Sequence, residues 1–485
     1  MSARQDAVPA YEPPPGSIPT LGVPDLTGVR RVHLIGIGGA GMRGLAELLL
    51  ARGIAVSGSD LKQSRGLTEL DRLGASVVVG HSAEQLEAAG RPEAVVISTA
   101  IPDANPELLA AREKSIPVWA RAQVLAALMA GSRGLAVAGT HGKTTTTSML
   151  STILGRAGVD PTFVIGGDLN ESGSGARSGG GEWFLAEADE SDGSFLLLHP
   201  DVAVVTNVEA DHLDFYRDEE EIRAAFARFL AQAGQAIVCG DDPGALKSLM
   251  LAGRQALSYG VTRGSDAVLT VKDPRGPRSS GSLDIAGERV EIQLRVPGEH
   301  NLLNAAGAVL AATLAGVAPA DAAMALRSYR GVRRRFEFRG VARGAEFFDD
   351  YAHHPSEVAA TLRAARNGYG RIVAVFQPHR YSRTRALWRE LGTSLAEADV
   401  VIVTDVYDAG EDPLPGVTGK LVLDALAEAQ PAKRILYLPH RTDVVRFLAS
   451  EVRPGDLVLT LGAGDITTVP EEAIERLRSH PDRAR

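Results

Sequence analysis

Apolar positions in the first quarter of the chain fall in short runs, Val32 to Ile35, Val77 to Val79 and Ala94 to Ile97, separated by stretches such as Ala40 to Ala51 whose spacing suits a helix. From Arg31 to about Arg121 this alternation predicts βαβ units and a parallel sheet. The rhythm restarts with a strand at Gly134 to Ala138 and a helix over Lys143 to Arg156, followed by strands at Phe184 to Ala188 and Val202 to Thr206. A second α/β domain therefore begins near Ala122. Helical spacing over Asn301 to Leu314 and Ala320 to Ser328 ends at the basic run starting at Arg330, beyond which strands at Ile372 to Phe376, Val400 to Thr404 and Leu457 to Leu461 alternate with helices. The expected divisions are a leader over 1–20 and domains over 21–121, 122–331 and 332–485.

Two segments break the pattern. Met1 to Thr20 is proline-rich, lacks the charged and apolar regions of a signal peptide, and reads as a disordered leader. The glycine- and serine-rich stretch between Asn170 and Glu182 reads as a mobile surface loop.

Length agrees with three domains, since 485 residues at ~150 per domain exceed what one core organises. Hydrophobic residues at 45% and charged residues at 23% are ordinary for a folded soluble chain. No apolar run approaches the ~18 residues of a membrane-spanning helix, so membrane insertion is not expected. A formal charge of -9 argues against a surface that coats nucleic acid. Cys239 is the sole cysteine, which excludes an intramolecular disulfide and fits the cytoplasm.

Four constellations carry candidate chemistry. Gly36-Ile-Gly38-Gly39-Ala-Gly41 follows a strand and opens a helix, so its backbone can approach a diphosphate at the helix's positive end; Asp60, after the next strand, stands where a ribose contact is usual. Taken literally this is an NAD fingerprint, and any diphosphate-bearing ligand suits it equally. Gly139-Thr140-His141-Gly142-Lys143-Thr144-Thr145 is a P-loop shortened at its start, with Val137 where a Walker A glycine would stand. Its N–H groups and Lys143 suit ATP phosphates, and the Thr144 hydroxyl suits Mg²⁺. Two acidic segments, Glu187 to Asp192 and Asn207 to Asp214, each follow a strand and offer hard oxygen ligands, with Glu190 and His212 among the candidates. Finally, Asp349-Asp350-Tyr351-Ala-His353-His-Pro355 and Gln377-Pro-His-Arg380-Tyr-Ser-Arg383 gather histidines and arginines suited to carboxylate and phosphoryl oxygens.

In this order, with His300-Asn-Leu-Leu-Asn304 between the third and fourth, these motifs resemble the Mur ligase family of peptidoglycan synthesis from Val32 to Asp465. The resemblance implies an α/β fold in which N- and C-terminal Rossmann-like parallel sheets flank a central P-loop-type ATPase domain. It implies ligation of L-alanine to the lactyl carboxylate of UDP-N-acetylmuramate through an acyl phosphate, with ATP and Mg²⁺ as cofactors. It moves the loop from Gly36 to Gly41, with Asp60, from NAD to a UDP-sugar. Lys143 would contact phosphates, Thr144 and Glu190 one Mg²⁺, and His212 a second. His300 and Asn304 would lie on the adenine side, Arg335 at the γ-phosphate and Asp350 on the ATP side. Tyr351, His353, Arg380 and Arg383 would surround the sugar carboxylate and the incoming alanine, with His353 a candidate base. Some sister ligases bridge their metals with a carbamylated lysine, but Leu213 to Leu246 contains no lysine. A sister ligase attaching a recycled peptide, an NAD-dependent oxidoreductase and a regulatory P-loop ATPase remain the alternative readings, and oligomeric state stays open.

Overall fold

The computed structural model describes residues 11–13, 17–170, 174–212, 215–273, 278–366 and 368–479. They fall into two compact units, one of Met1–Thr270, Ser282–Ile292 and Leu303–Leu326, the other of Val271–Gly281, Gln293–Leu302 and Arg327–Arg485. Of the expected leader, residues 1–10 and 14–16 lie outside the described residues. Tyr11 is buried beside Tyr216, ring centroids 6.3 Å apart, and its carbonyl accepts a hydrogen bond from Arg228.

The first unit begins with strands β1 (Arg31–Ile35), β2 (Ala55–Asp60), β3 (Ser76–Val79), β4 (Ala94–Ile97) and β5 (Val118–Ala120). Helices α1 (Ala40–Ala51), α2 (Arg65–Arg72), α3 (Gln85–Ala88) and α4 (Pro106–Glu113) connect them, and α5 (Arg121–Met129) follows. The strand order is β3-β2-β1-β4-β5, all parallel, the doubly wound arrangement of a Rossmann-like half. Within this domain lies a buried polar network. The His33 ring sits 2.9 Å from the Ser57 hydroxyl and 2.8 Å from Glu107, while the Ser59 hydroxyl donates to the same Glu107 oxygen at 2.7 Å. Burial alone would raise the Glu107 pKa, but His33, Ser59 and His81 outweigh it and hold the carboxyl below its ordinary value.

The middle sheet centres on β6 (Arg133–Ala138), followed by α6 (Lys143–Arg156), β7 (Thr162–Val164), β8 (Ala176–Arg177), β9 (Trp183–Glu187) and β10 (Val202–Val205). Then come α7 (Glu219–Gln232), β11 (Gln235–Cys239), α8 (Pro243–Ala252) and β12 (Leu257–Gly260). Strands β12-β11-β10-β6-β9-β7 run parallel, β8 closes one edge antiparallel, and the sheet continues past β12 through β13 (Ala267–Asp273), β14 (Ser279–Ile285) and β15 (Glu288–Leu294). The glycine-rich stretch expected to be a mobile loop contributes β8. Its residues Glu171 to Gly173 lie outside the described residues, but a Cβ on Gly179 or Gly181 would overlap backbone at Val159 and Asp160, so these glycines permit close packing.

After α9 (Glu299–Leu314) and α10 (Pro319–Leu326), the C-terminal sheet takes the order β16-β17-β21-β18-β19-β20. Its strands are β16 (Glu337–Ala342), β17 (Ala345–Asp350), β18 (Arg371–Phe376), β19 (Val400–Val403), β20 (Arg434–Tyr437) and β21 (Asp456–Leu461). Helices α11 (Pro355–Arg366), α12 (Tyr381–Ser394), α13 (Gly419–Ala429), α14 (Arg441–Glu451) and α15 (Val469–Ser479) cover them. Only β16 is antiparallel, so the fold class is α/β with three sheet-based domains, the outer two Rossmann-like. No helix among the described residues is long and apolar enough to cross a membrane.

Removing the shared acceptor of the first domain's network strands several buried donors. Glu107→Ala should cost on the order of 3–5 kcal/mol, read as a lower urea midpoint for the first unit; an unchanged midpoint would show that the network is idle.

Candidate active site

The P-loop segment is shaped by β10. Thr140 N–H donates to the Asn207 carbonyl (3.0 Å) and His141 N–H to the Asn207 side chain (2.8 Å), while the Thr206 hydroxyl and Asn207 Nδ2 both donate to the His141 carbonyl. Gly142 caps α6 at φ 83°, and a Cβ there would come within 2.6 Å of Asn304 Oδ1, so Asn304 lies against the loop. Thr145 follows within the first turn of α6.

Lys143 opens α6 and points back into the loop. Its Nζ donates to the Gly139 carbonyl (2.6 Å), to the Thr140 carbonyl (3.2 Å) and to Glu190, whose two oxygens lie 2.9 and 2.8 Å away. Burial works against the ammonium, yet Glu190, Asp189 and Glu187 outweigh it and raise the Lys143 pKa. Glu190, only 2% exposed, is pushed up to about 7 by burial, with Lys143 pulling the other way and Asp189 adding to the rise. His212 joins them: its Nε2 stands 3.6 Å from Glu190, on a backbone held at φ 53°. Lys143, Glu190 and His212 therefore meet, whereas Asp214 lies outside the described residues.

Thr144 points elsewhere. Its hydroxyl donates to Glu187 Oε1 at 2.9 Å, and Glu187 Oε2 accepts the Gly166 N–H at 2.8 Å. The sequence reading named Glu190 but not Glu187 as a ligand candidate. It also missed Tyr216, buried at the far end of the second acidic segment, whose hydroxyl donates to the Glu190 carbonyl at 2.7 Å. No motif signals a tyrosine in that role.

In the first domain, Gly36 and Ile37 N–H groups both donate to the Ser59 carbonyl, which hooks the glycine loop onto the end of β2. Asp60 sits on the loop itself: Oδ2 accepts the Gly38 N–H at 2.9 Å, and a Cβ on Gly38 would lie 2.8 Å from that oxygen. Gly39, the N-cap, and Gly41 complete the turn into α1.

The second unit holds the remaining candidates: Asp350, Tyr351 and His353 at the end of β17, Arg380 and Arg383 beyond β18, Arg335 ahead of β16 and His300 at the start of α9. Both Asp350 oxygens are engaged, by the Phe336 N–H (2.7 Å) and the Ala352 N–H (2.8 Å), and burial raises its pKa to about 6 against the pull of Arg335. Arg335 lies 3.6 Å from Glu357 and 5.4 Å from the Tyr351 ring centre. His353 Nδ1 is 2.9 Å from the Tyr351 carbonyl, an acceptor only, so Nδ1 carries a hydrogen. His300 is lowered to about 4 by burial, with Arg363 and Arg335 adding to it. Arg380 caps α12 at φ 68° and Arg383 lies in that helix's first turn. His379, quoted in the motif but not singled out, stacks on Tyr407 (5.6 Å) and faces His353 (5.7 Å). A cleft of ≈ 380 Å³ opens beside Gln377, Thr404 and Asp465 at the same sheet edge.

Three family models match in chain order: the Mur ligase family catalytic domain over residues 31–133, the Mur ligase middle domain over 137–312, and the Mur ligase glutamate ligase domain over 334–464. The chain belongs to the Mur ligase family. A UDP-N-acetylmuramate–L-alanine ligase of Saccharopolyspora erythraea is 50% identical over 457 residues, 92% of this chain and 93% of the relative. One of Pelotomaculum thermopropionicum is 46% identical over 458 residues, 93% and 98% of the two chains. Among solved structures, the UDP-N-acetylmuramate-alanine ligase of Thermotoga maritima superposes with a TM-score of 0.80 at 28% identity, covering 93% of this chain and 99% of its own. As in other Mur ligases, the middle domain is of the ATP-binding type.

His379 gives this site a pH signature. Burial first, then His353 and the neighbouring arginines, lower it from 6.5 to about 3. A depressed folded pKa means that its contribution is full above pH 6.5 and lost as pH falls toward 3. His379→Gln should therefore lose less of its urea midpoint between pH 7 and 5 than the parent; an equal loss would relocate the acid sensitivity.

Proposed function

We propose that this Mur ligase joins L-alanine to the lactyl carboxylate of UDP-N-acetylmuramate in the cytoplasm, using ATP and releasing ADP and phosphate through an acyl phosphate. The observation that carries the reading is the buried Lys143–Glu190 pair at the mouth of the P-loop, in a chain 50% identical to a ligase of that name. On this reading 21–121 holds the sugar nucleotide, 122–331 holds ATP, and 332–485 presents alanine.

The chemistry sets two demands. Carboxylate and γ-phosphate are both anionic, so their approach needs fixed positive charge, which Lys143 supplies beside Gly139 and Thr140. Arg335, Arg380 and Arg383 would act on carboxylate and phosphoryl oxygens in the second unit. The alanine amine must also arrive unprotonated, and the His353 imidazole suits a base. His300, Asn304 and Asp350 would serve the ATP side, and Tyr351 the amino-acid side.

Mg²⁺ takes hard oxygens, and the residues that would hold it are Thr144, which engages Glu187, and Glu190, with His212 3.6 Å from Glu190 as the nitrogen candidate for a second ion. When bound, the metal would neutralise phosphate oxygens during transfer.

Phosphate release from ATP that requires both UDP-N-acetylmuramate and alanine tests the proposal directly, and a preference for a tripeptide over alanine would reassign the chain to the recycling ligases. Lys143→Ala should lower the rate by about 10²–10³ while the protein stays folded; activity within about threefold of wild type would remove the P-loop assignment. His212→Ala should need about tenfold more Mg²⁺ for half-maximal rate, and an unchanged requirement from pH 6 to 8.5 would withdraw His212 from the metal set.

A further inference from the structure

Arg121, the first residue of α5, stands between the glycine loop and the acidic segment of the P-loop site, all within the first unit. Its guanidinium lies over the start of α1: a Cβ on Gly41 would come within 2.9 Å of Nη1 and 3.5 Å of Cζ. On its other side, Arg121 Nη2 is 3.6 Å from Asp189 Oδ2, the pair being 28% and 43% exposed.

The glycine loop needs such a cation. Asp60 already places a carboxylate on the Gly38 N–H, so an incoming diphosphate meets a fixed negative charge where a bare loop would offer a donor. Arg43, further along α1, is committed to Asp168 and Glu47. Arg121 is held only by a long, part-exposed pair, which costs little to open, and its planar donors match phosphoryl or carboxylate oxygens two at a time.

We propose that Arg121 is a binding residue for the anionic part of the sugar nucleotide, and that it exchanges Asp189 for that anion when the substrate arrives. The inference rests on the glycine loop being the sugar-nucleotide site. Because Asp189 adjoins Glu190 and shares the field of Lys143, the exchange couples the two sites: sugar nucleotide frees a carboxylate beside the P-loop, and reciprocity requires whatever then engages Asp189 to tighten the sugar nucleotide.

Calorimetry with UDP-N-acetylmuramate and the full chain, without ATP, separates the possibilities. Arg121→Gln should weaken binding by about tenfold or more, the loss of one charge-assisted contact, and Arg121→Lys should restore part of it. Asp189→Asn should bind as tightly as wild type or tighter, because a competitor for the guanidinium is gone. If Arg121 and Asp189 merely formed a structural pair, both neutral variants would weaken binding together, and that result overturns the proposal. So does an Arg121→Gln affinity within about twofold of wild type while Gly38→Val abolishes binding, since the loop is then the site but Arg121 is not in it. Unchanged affinity in Gly38→Val would instead overturn the sugar-nucleotide reading of the loop.

Discussion

A lysine ammonium buried at the start of a helix is unstable without oxygen partners, and the way Lys143 obtains them organises the first unit. The N-terminus of α6 carries positive character of its own, so the charge sits where the helix dipole opposes it. Glu190 offsets both. To deliver Glu190, β9 must end beside β6, and the chain after it must turn at once; Tyr216 fixes that turn by holding the Glu190 carbonyl. Thr206 and Asn207, at the end of β10, tie down the loop on its other flank. The three strands that converge on Lys143 are the centre of the middle sheet.

The same arrangement stabilises the buried ammonium. Breaking a buried pair by removing one partner is costly, so a lysine that faced only solvent-poor space would be strained. With Glu190 against it, the ammonium is neutralised in place. Burial at the same time pushes the Glu190 carboxyl up, against the pull of Lys143, so each partner holds the other in its charged form.

What the sequence disclosed and what it hid divide along physical lines. Helices α1 and α6 were readable to their ends, because each begins after a glycine loop and carries continuous apolar spacing. The central parallel strands were readable because both faces are buried and their apolar runs are unbroken. The segment holding β8 was misread: glycines that look like freedom in one dimension serve close packing in three. The sequence pattern does not single out strands β13 to β15, although buried and exposed positions alternate from Val290 to Leu294. In the site, motif residues such as Lys143, Glu190 and His212 were legible by type and order. Their contacts were not: the Tyr216 hydroxyl on the Glu190 carbonyl and Glu187 on Thr144 depend on the direction a side chain takes after the backbone has turned, and one-dimensional spacing does not carry that information.

The first glycine loop shows why a perfect local fingerprint leaves the ligand open. Its physics, N–H groups and a helix end aimed at one anionic centre, is common to every diphosphate ligand, and the strand order β3-β2-β1-β4-β5 serves dinucleotides and nucleotide sugars alike. The discriminating feature is what fills the rest of the crevice. An acidic residue after β2 that recognises a ribose must turn its oxygens outward, but Asp60 gives one to Gly38 and the other lies within 3.3 Å of the Lys62 N–H. Asp60 thus helps to shape the loop, with acceptor positions left on both oxygens, and the choice of ligand passes in part to side chains brought in from elsewhere in the fold. That transfer is why the identity of this site emerges from the whole chain and not from its six glycine-rich residues.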